Sequence, residues 1–414
     1  MTTKAKWTFM LYLAGDNNLS LAGETDIGEM RKVGSTKDVN VIVEFDRAGA
    51  NHETKRYRIE KGGAHEREMS LGETDSGDPK VLQSFVDWAA REYPADRYAL
   101  VLWNHGGGWV PDDLDSIARS VGTKDYNLRE ARDRAARSTM NRVLFRTTVA
   151  ALMRRPTALE RAICCDDGSL HSIDTVELGK VLSYAAKKLG KPLDLLGMDA
   201  CLMSNLEVAY QAKAYVKYIV ASEENEPNNG WPYDSIFAKL VADPTMPTVS
   251  LAKHIVQDYA KSYAACGFTG PVTQSALDLA NIGKLTKPLD ELSKLLVQRM
   301  AAAKYELGEA LFHTKGQFYD GTLWDVAEVC AQLASGTADN ATRKGAAAVL
   351  AALHPKSNLL VRAQGHLGSK VKKCGGLSVY LPPRAVHGVS KHYAKVAFAK
   401  DHQWDEMLAA YHAP

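Results

Sequence analysis

Leu100-Val-Leu-Trp-Asn-His105-Gly-Gly-Gly-Trp109 and Leu193-Asp-Leu-Leu-Gly-Met-Asp199-Ala-Cys201 are the two stretches that decide the fold. Each opens with a nearly continuous apolar run, which is typical of a strand covered on both faces. Strand and helix patterns alternate around them, and this predicts an α/β sandwich with a mostly parallel central sheet. Because functional groups gather at the C-terminal ends of such strands, we expect His105 and Cys201 to lie together.

The same periodicity gives the remaining elements of the N-terminal part. Strands are predicted at Trp7–Ala14, Val39–Asp46, Lys55–Glu60, Tyr98–Trp103, Leu193–Gly197 and Tyr218–Ser222. Helices are predicted at Ser20–Val33, Pro79–Tyr93, Asp174–Leu189 and Leu202–Ala214. A turn-rich segment from Ala242 to Thr248 marks a boundary. We therefore expect a catalytic domain over residues 1–242, with an Arg-rich insertion at about 111–167, and a C-terminal α+β region over residues 249–414 packed on it.

The composition of the 414 residues narrows the class of protein. Its 45% hydrophobic and 24% charged content is that of a soluble globular chain. A net charge of +2 and the lack of a long apolar run predict neither a nucleic-acid nor a membrane partner. The start of the chain does not read as a signal peptide, so we expect a cytoplasmic protein, or a secreted one if a leader has been trimmed. Six scattered cysteines without zinc-ligand spacing predict reduced thiols and no metal site.

Cys201 and His105 are the candidate reactive groups. Cys201 stands where a predicted strand gives way to a predicted helix, and a helix N-terminus favours the thiolate form. The alternative for Cys201 is a small buried core thiol. His105 precedes three glycines, whose backbone N–H groups can approach a developing oxyanion closely. The alternative for His105 is a glycine-rich turn that happens to contain a histidine.

Other polar residues lie near the same predicted edge of the sheet. Asp199 is a candidate for orienting the histidine, capping the next helix or lining a pocket for a cationic substrate group. Glu223 and Glu224 follow the strand that ends at Ser222, and carboxylates there select a substrate more readily than they activate a thiol. Asn17 reads either as part of a turn or as an amide that orients His105.

The insertion carries a dense run of positive charge. Between Arg129 and Arg161 there are nine arginines and three acidic residues. Such a run is most often a solvated loop, but it also suits an acidic partner. If the protein cuts after arginine, the segment is its own substrate.

Five segments together resemble the clostripain family of cysteine peptidases: Trp7 to Leu19, Leu100 to Trp109, Met198 to Ala209, Ala221 to Tyr233 and Gly375 to Pro382. The resemblance implies a caspase-like α/β/α sandwich. It also implies that His105 is the general base and acid, that Cys201 is the nucleophile, and that N–H groups of Gly106 and Cys201 form the oxyanion hole. Members of the family cut after Arg or Lys, so Asp199, Ser222 and Glu223 are the implied substrate-binding residues.

The resemblance bears on maturation and on metals as well. Some relatives cut themselves between the His and Cys motifs, and here the candidate scissile bonds follow Arg137 and Arg146. Clostripain itself depends on calcium, but this chain shows no EF-hand-like run of carboxylates, so calcium is implied by resemblance only and no cofactor is predicted.

The sequence therefore predicts a cysteine endopeptidase that acts on proteins or peptides with basic residues. Two alternatives stay open. One is a catalytically silent scaffold of the same fold, which an alkylation-resistant Cys201 would favour. The other is a cysteine peptidase specific for Asp or Asn, in which Asp199→Ala would leave the true activity unharmed.

Overall fold

The central strands form because their apolar residues are buried on both sides of one sheet. The structure, a computed structural model, describes residues 4–49, 53–63, 67–109, 163–164, 166, 169, 171–353, 360–384 and 388–414. Every residue of the strand that carries Asp199 at its end is buried, as is most of the strand that precedes His105. Such strands need helices over both faces, and this is the arrangement observed.

Nine described strands make one sheet, and three short strands make a second. The bounds are β1 Ala5–Gly15, β2 Val39–Arg47, β3 Lys55–Arg58, β4 Arg67–Ser70, β5 Ala95–Trp103, β6 Leu193–Asp199, β7 Val216–Ala221, β8 Val272–Asp278, β9 Gln317–Phe318, β10 Leu323–Asp325, β11 Val361–Leu367 and β12 Ser378–Tyr380. The large sheet has the order β11-β8-β7-β6-β5-β1-β2-β3-β4. Its five central strands, β7 to β2, are parallel, and the strands at both edges are antiparallel.

The described helices lie on the two faces of this sheet and around the small sheet. Their bounds are α1 Ser20–Val33, α2 Pro79–Glu92, α3 Thr175–Leu189, α4 Leu206–Ala212, α5 Tyr233–Ala242, α6 Thr248–Ala265, α7 Ile282–Gln298, α8 Met300–His313, α9 Val326–Gly336, α10 Asn340–Leu353, α11 Ala397–Asp401 and α12 Trp404–His412. One apolar core packs α1, α5 and α6 against one face, and a larger core packs α2, α3 and α4 against the other. The predicted α/β/α sandwich is confirmed.

The C-terminal region is continuous with the main sheet. Strands β8 and β11 come from beyond residue 249, yet they extend the sheet past β7. The turn at Ala242–Thr248 links α5 to α6 on one face of the sandwich. Described strands from both sides of this turn belong to the same main sheet. Residues after α6 also build the small sheet, in which β10 pairs with both β9 and β12.

One predicted helix start is wrong. Helix α4 begins at Leu206 and not at Leu202, because the side chain of Asn205 caps it by accepting the N–H groups of Glu207 and Val208. Cys201 therefore lies in a turn before the helix. In the described part of the chain, no helix is both long and apolar enough to cross a membrane. Arg137 and Arg146 lie outside the described residues.

Candidate active site

Strand register brings His105 and Cys201 to neighbouring positions. In the parallel pair of β5 and β6, Trp103 lies opposite Asp199, and each candidate residue follows two positions later. Both side chains line a cavity of about 30 Å³ that also contains Asp199 and Glu226. Both are at least nine-tenths buried, so a reaction here would take place largely out of bulk water. The structure thus brings together the predicted dyad and Asp199.

Gly106 is the point where the two strand ends touch. A Cβ built on this residue would lie 2.2 Å from the carbonyl oxygen of Cys201, closer than any side chain tolerates. Only glycine allows the segment after His105 to run against the backbone of Cys201. The N–H of Gly106 also lowers the pKa of the Cys201 thiol, because it donates toward the sulfur. This N–H therefore lies next to the sulfur of Cys201.

The Cys201 thiol is buried against the segment that follows β7. The backbone N–H of Glu226 donates to its Sγ at 3.2 Å. Burial raises the pKa of the thiol to about 12, and these backbone donors offset only part of that cost. The thiolate that we expected from a helix N-terminus is not supported, because α4 begins five residues later. The Cys201 side chain is therefore a neutral thiol at rest.

The backbone beside Cys201 is unusual. Leu202 has φ of 67°, a left-handed conformation that a branched side chain rarely adopts. Its N–H donates to the carbonyl of Glu224 at 3.3 Å. Two residues further on, the N–H of Ser204 donates to the carbonyl of Ser222 at 2.7 Å. These two hydrogen bonds fasten the turn that contains Cys201 to the segment that follows β7.

Alkylation of Cys201 should be slow at pH 7 and accelerate steeply in alkali. Because the thiolate is the reactive form, the rate should rise about tenfold per pH unit until the pKa is approached. We would measure iodoacetamide incorporation at Cys201 by peptide mass spectrometry between pH 7 and 10. A rate that is already at its plateau at pH 7 would contradict a buried neutral thiol. Slow alkylation at pH 7 by itself does not favour a silent scaffold.

The imidazole of His105 contacts an amide that we did not single out. Its Nε2 lies 3.0 Å from Oδ1 of Asn18. Asn17, which we predicted for this role, uses its side chain locally: Nδ2 donates to the carbonyl of Ala14 and Oδ1 accepts the N–H of Leu19. The turn after β1 thus directs the second of two adjacent asparagines at the ring. The sequence was sufficient to point to the two adjacent asparagines as candidates for contact with His105. Only the geometry of the turn shows which of them makes that contact.

Replacing Asn18 by alanine is expected to lower kcat about tenfold, because the ring plane of His105 is no longer held by the amide oxygen of Asn18. The measurement is kcat and KM for a peptide substrate, and KM should stay nearly unchanged. Asn17→Ala is the matched control, which should reduce thermal stability through the turn but leave kcat in place. Equal kcat values for both variants would contradict an orienting role for Asn18.

Two carboxyl groups share the wall of the cavity. Oδ2 of Asp199 accepts hydrogen bonds from the Tyr233 hydroxyl at 2.7 Å and the Trp231 N–H at 3.1 Å. Glu226 is held by Gln274, whose Nε2 donates to Oε1 at 3.0 Å, and its carboxyl group also shares a hydrogen bond with Asp199. Burial raises the pKa of both groups, and the charge of Asp199 raises the pKa of Glu226 further. A cation placed between them would relieve this repulsion.

Glycine is required beside Asp199 as well. Gly230 has φ of 50°, and a Cβ there would lie 2.7 Å from Oδ2 of Asp199. The bare backbone of Gly230 leaves room for the carboxylate and for a ligand beside it. This segment, from Glu226 to Gly230, forms one side of the cavity.

Ser222 and Glu223 lie outside the lining of this cavity. The hydroxyl of Ser222 contacts Thr273 at 2.9 Å and donates to the carbonyl of Glu224 at 2.8 Å. Glu223 is buried beside Asp325 and Cys374, which belong to the C-terminal region. From the sequence we expected Glu223, directly after β7, to bind substrate. In the structure it is Glu226, three residues later, that lines the cavity. The signal that was available is the density of acids from Glu223 to Glu226.

Among the described residues, one group of side chains has the spacing of metal ligands: Glu223, Asp325 and Cys374. Calcium takes six to eight oxygen ligands, so a site with one sulfur and two carboxylates does not fit it. We therefore assign no calcium-dependent step to this site.

Comparison with known proteins agrees with the geometry. The profile of the clostripain family matches residues 11–146 and 150–411. Clostripain of Hathewaya histolytica is 26% identical over a 440-residue alignment that covers 91% of this chain and 74% of the relative. The fold matches an inactive zymogen C11 protease from Parabacteroides distasonis with a TM-score of 0.65, at 21% identity, over 97% of this chain and 99% of that one. It also matches a secreted C11 cysteine protease from Bacteroides thetaiotaomicron, solved with an irreversible peptide inhibitor, with a TM-score of 0.64, at 19% identity, over 97% and 100% of the two chains.

Proposed function

Because the chain belongs to the clostripain family and is a cysteine peptidase, we propose that it is an endopeptidase that cuts after arginine and, less often, after lysine. The observation that carries this proposal is the buried pair Asp199 and Glu226 in the same cavity as His105 and Cys201. Basic side chains are the natural ligands of two adjacent buried carboxyl groups. Clostripain, the relative from Hathewaya histolytica, resembles this chain over most of its length, in keeping with this function.

The reaction uses a thiol and an imidazole that start neutral. His105 accepts the proton of the Cys201 thiol as Sγ attacks the carbonyl carbon of the scissile bond. The carbonyl oxygen becomes an oxyanion, which the N–H groups of Gly106 and Cys201 stabilise. Protonated His105 then donates to the leaving amine as the C–N bond breaks and leaves a thioester. Water attacks that thioester with His105 again as base, and this step releases the acid and the free thiol.

Asn18 and the closed cavity support this cycle. The amide oxygen of Asn18 contacts Nε2 and holds the ring plane, so that Nδ1 is the atom available for proton transfer. Burial of the thiol disfavours thiolate in the resting enzyme, and proton transfer to His105 during attack avoids that cost.

The acidic pair explains how a basic side chain would be selected. With no substrate bound, burial raises the pKa of both carboxyl groups and the charge of Asp199 raises the pKa of Glu226 further, so the pair retains a proton. A guanidinium between them would favour the doubly ionised form and release that proton. Activity on arginine peptides should therefore fall as the pH is lowered through the titration of the pair. An aspartate side chain in the same place would meet two acids, which disfavours the Asp-specific alternative.

The direct test uses fluorogenic peptides that differ only in the residue before the scissile bond: Arg, Lys, Asp or Asn. The proposal expects hydrolysis in the order Arg, then Lys, with little of the other two. The Cys201→Ala variant is the control for contaminating peptidases. Hydrolysis after Asp or Asn alone would overturn the specificity, and a lack of any Cys201-dependent hydrolysis would favour the scaffold.

Self-processing is a separate expectation, which rests on the Arg-rich insertion between the two motifs. Intact mass spectrometry should find two fragments for the wild type and one chain for Cys201→Ala, with new ends after Arg137 or Arg146. Double replacement of these arginines by glutamine should delay the cleavage. A fully active wild type that stays uncut would contradict obligatory maturation. The location, cytoplasmic or secreted, stays a prediction.

A further inference from the structure

A second group of reactive side chains is buried where the main sheet meets the small sheet. Glu223 leaves the end of β7, Asp325 ends β10, and Cys374 lies in the turn before β12. One carboxylate oxygen from each acid and the Cys374 sulfur lie within 4.8 Å of one another. All three residues are at least nine-tenths buried. The proposed peptidase chemistry uses none of them.

Glu223 marks this cluster as a ligand site. The residue is 0% exposed, and neither of its carboxylate oxygens has a hydrogen-bond partner of normal geometry. A buried carboxylate with so few donors is unfavourable if it is charged, so folded proteins usually pair such a group or bind a cation to it. The groups that act on it are the Asp325 carboxyl group, with which it can share one proton, and the backbone N–H of Gly376, and one N–H does not balance two acids.

The other two ligands are held in place by the backbone. Asp325 caps α9: one oxygen accepts the N–H of Glu328 at 2.6 Å and the other accepts the N–H of Gly375 at 2.6 Å. The N–H of Cys374 donates to the carbonyl of Val371 at 3.1 Å. Each side chain therefore points into the cluster before any ligand binds, as preorganised sites require.

Acidic groups outnumber basic ones around the cluster. The carboxyl groups of Glu223, Asp325, Glu328 and Glu224 all lie close enough to the Cys374 thiol to act on it electrostatically. The one nearby cation that the structure records as paired with these acids is Lys370, whose Nζ lies 2.7 Å from Glu224. A dication among the three ligands would reverse this balance and convert the thiol to a thiolate.

We propose that Glu223, Asp325 and Cys374 bind one divalent transition-metal cation of the zinc class. A thiolate with two carboxylates is a donor set that zinc accepts, and the sulfur disfavours calcium and magnesium. The cation joins three segments that are distant in sequence, so it fastens the end of β7 to the small sheet. Glu223 is three residues before Glu226, whose N–H contacts the Cys201 sulfur. A cation bound to Glu223 would therefore also fix the position of the segment from Glu223 to Glu226 beside Cys201.

The test separates this site from the catalytic cysteine and histidine, which can also bind zinc. All proteins therefore carry Cys201→Ala, which also prevents self-cleavage. After purification without added metal, elemental analysis should find about one zinc per chain in this parent. Cys374→Ala should lower the content to near zero. Cys330→Ala, a second buried cysteine outside the cluster, is the matched control and should retain the metal.

Cobalt gives a second readout that does not depend on activity. The cobalt-loaded parent should show a thiolate-to-cobalt charge-transfer band that Cys374→Ala lacks and Cys330→Ala keeps. If Cys374→Ala does not fold, Glu223→Gln, which preserves size, should lower zinc affinity tenfold or more. A parent that holds no metal and shows no cobalt band would overturn the proposal. So would zinc binding that both Cys374→Ala and Glu223→Gln leave unchanged.

Discussion

Replacing Cys201 by alanine is expected to lower kcat for peptide hydrolysis by about a million-fold, to the background of the assay. The methyl group of alanine cannot form the thioester, and no other described cysteine lies among the residues that line the cavity with His105. His105→Ala should lose nearly as much, because the buried thiol would then lack its base. The measurement is steady-state hydrolysis of a fluorogenic arginine peptide, with each variant checked for folding by circular dichroism.

The combined variant decides whether the two residues act as one unit. Cys201→Ala with His105→Ala should be no slower than either single variant, since removing one member already stops the shared reaction. Cys330→Ala is the control for loss of a buried thiol, and it should retain full activity. Substantial turnover in folded Cys201→Ala would assign the nucleophile elsewhere.

Replacing Glu226 by glutamine is expected to lower kcat/KM for an arginine peptide by about 30- to 4000-fold, the cost of removing one partner of a buried charge pair. The same peptide with citrulline, a neutral isostere of arginine, should be hydrolysed no more slowly by the variant than by the wild type. The ratio of the two rates therefore measures recognition of charge alone. Asp199→Asn should act in the same direction but also disturb Trp231 and Tyr233, which its carboxylate holds.

Glu223→Gln is the comparison that distinguishes the structure from the sequence-based expectation. Glu223 lies beside Asp325 and Cys374 and not in the cavity lining, so its replacement should leave the arginine-to-citrulline ratio unchanged. If Glu223→Gln lowered this ratio and Glu226→Gln did not, the specificity pocket would be formed as the sequence alone suggested.

Much of the site was predictable because it depends on the ends of buried strands. The apolar runs before His105 and Cys201 are readable in one sequence, and parallel register places their ends side by side. Asp199 is carried into the cavity by the same strand as Cys201. The close approach at Gly106 was predictable for a related reason, since glycines directly after His105 let the backbone come near its neighbours.

The sequence by itself therefore determined the α/β sandwich and the position of His105, Asp199 and Cys201 at neighbouring strand ends, because the periodicity of each strand shows where it is buried and where it ends. Only the tertiary structure decided that Asn18 rather than Asn17 meets the imidazole, and that Glu226 rather than Glu223 joins Asp199. It also showed that burial raises the pKa of Cys201 and that backbone donors lower it in part. No helix begins directly at Cys201, since α4 starts at Leu206. These choices depend on how turns leave the strands, and one residue of difference in a turn sends a side chain to another site.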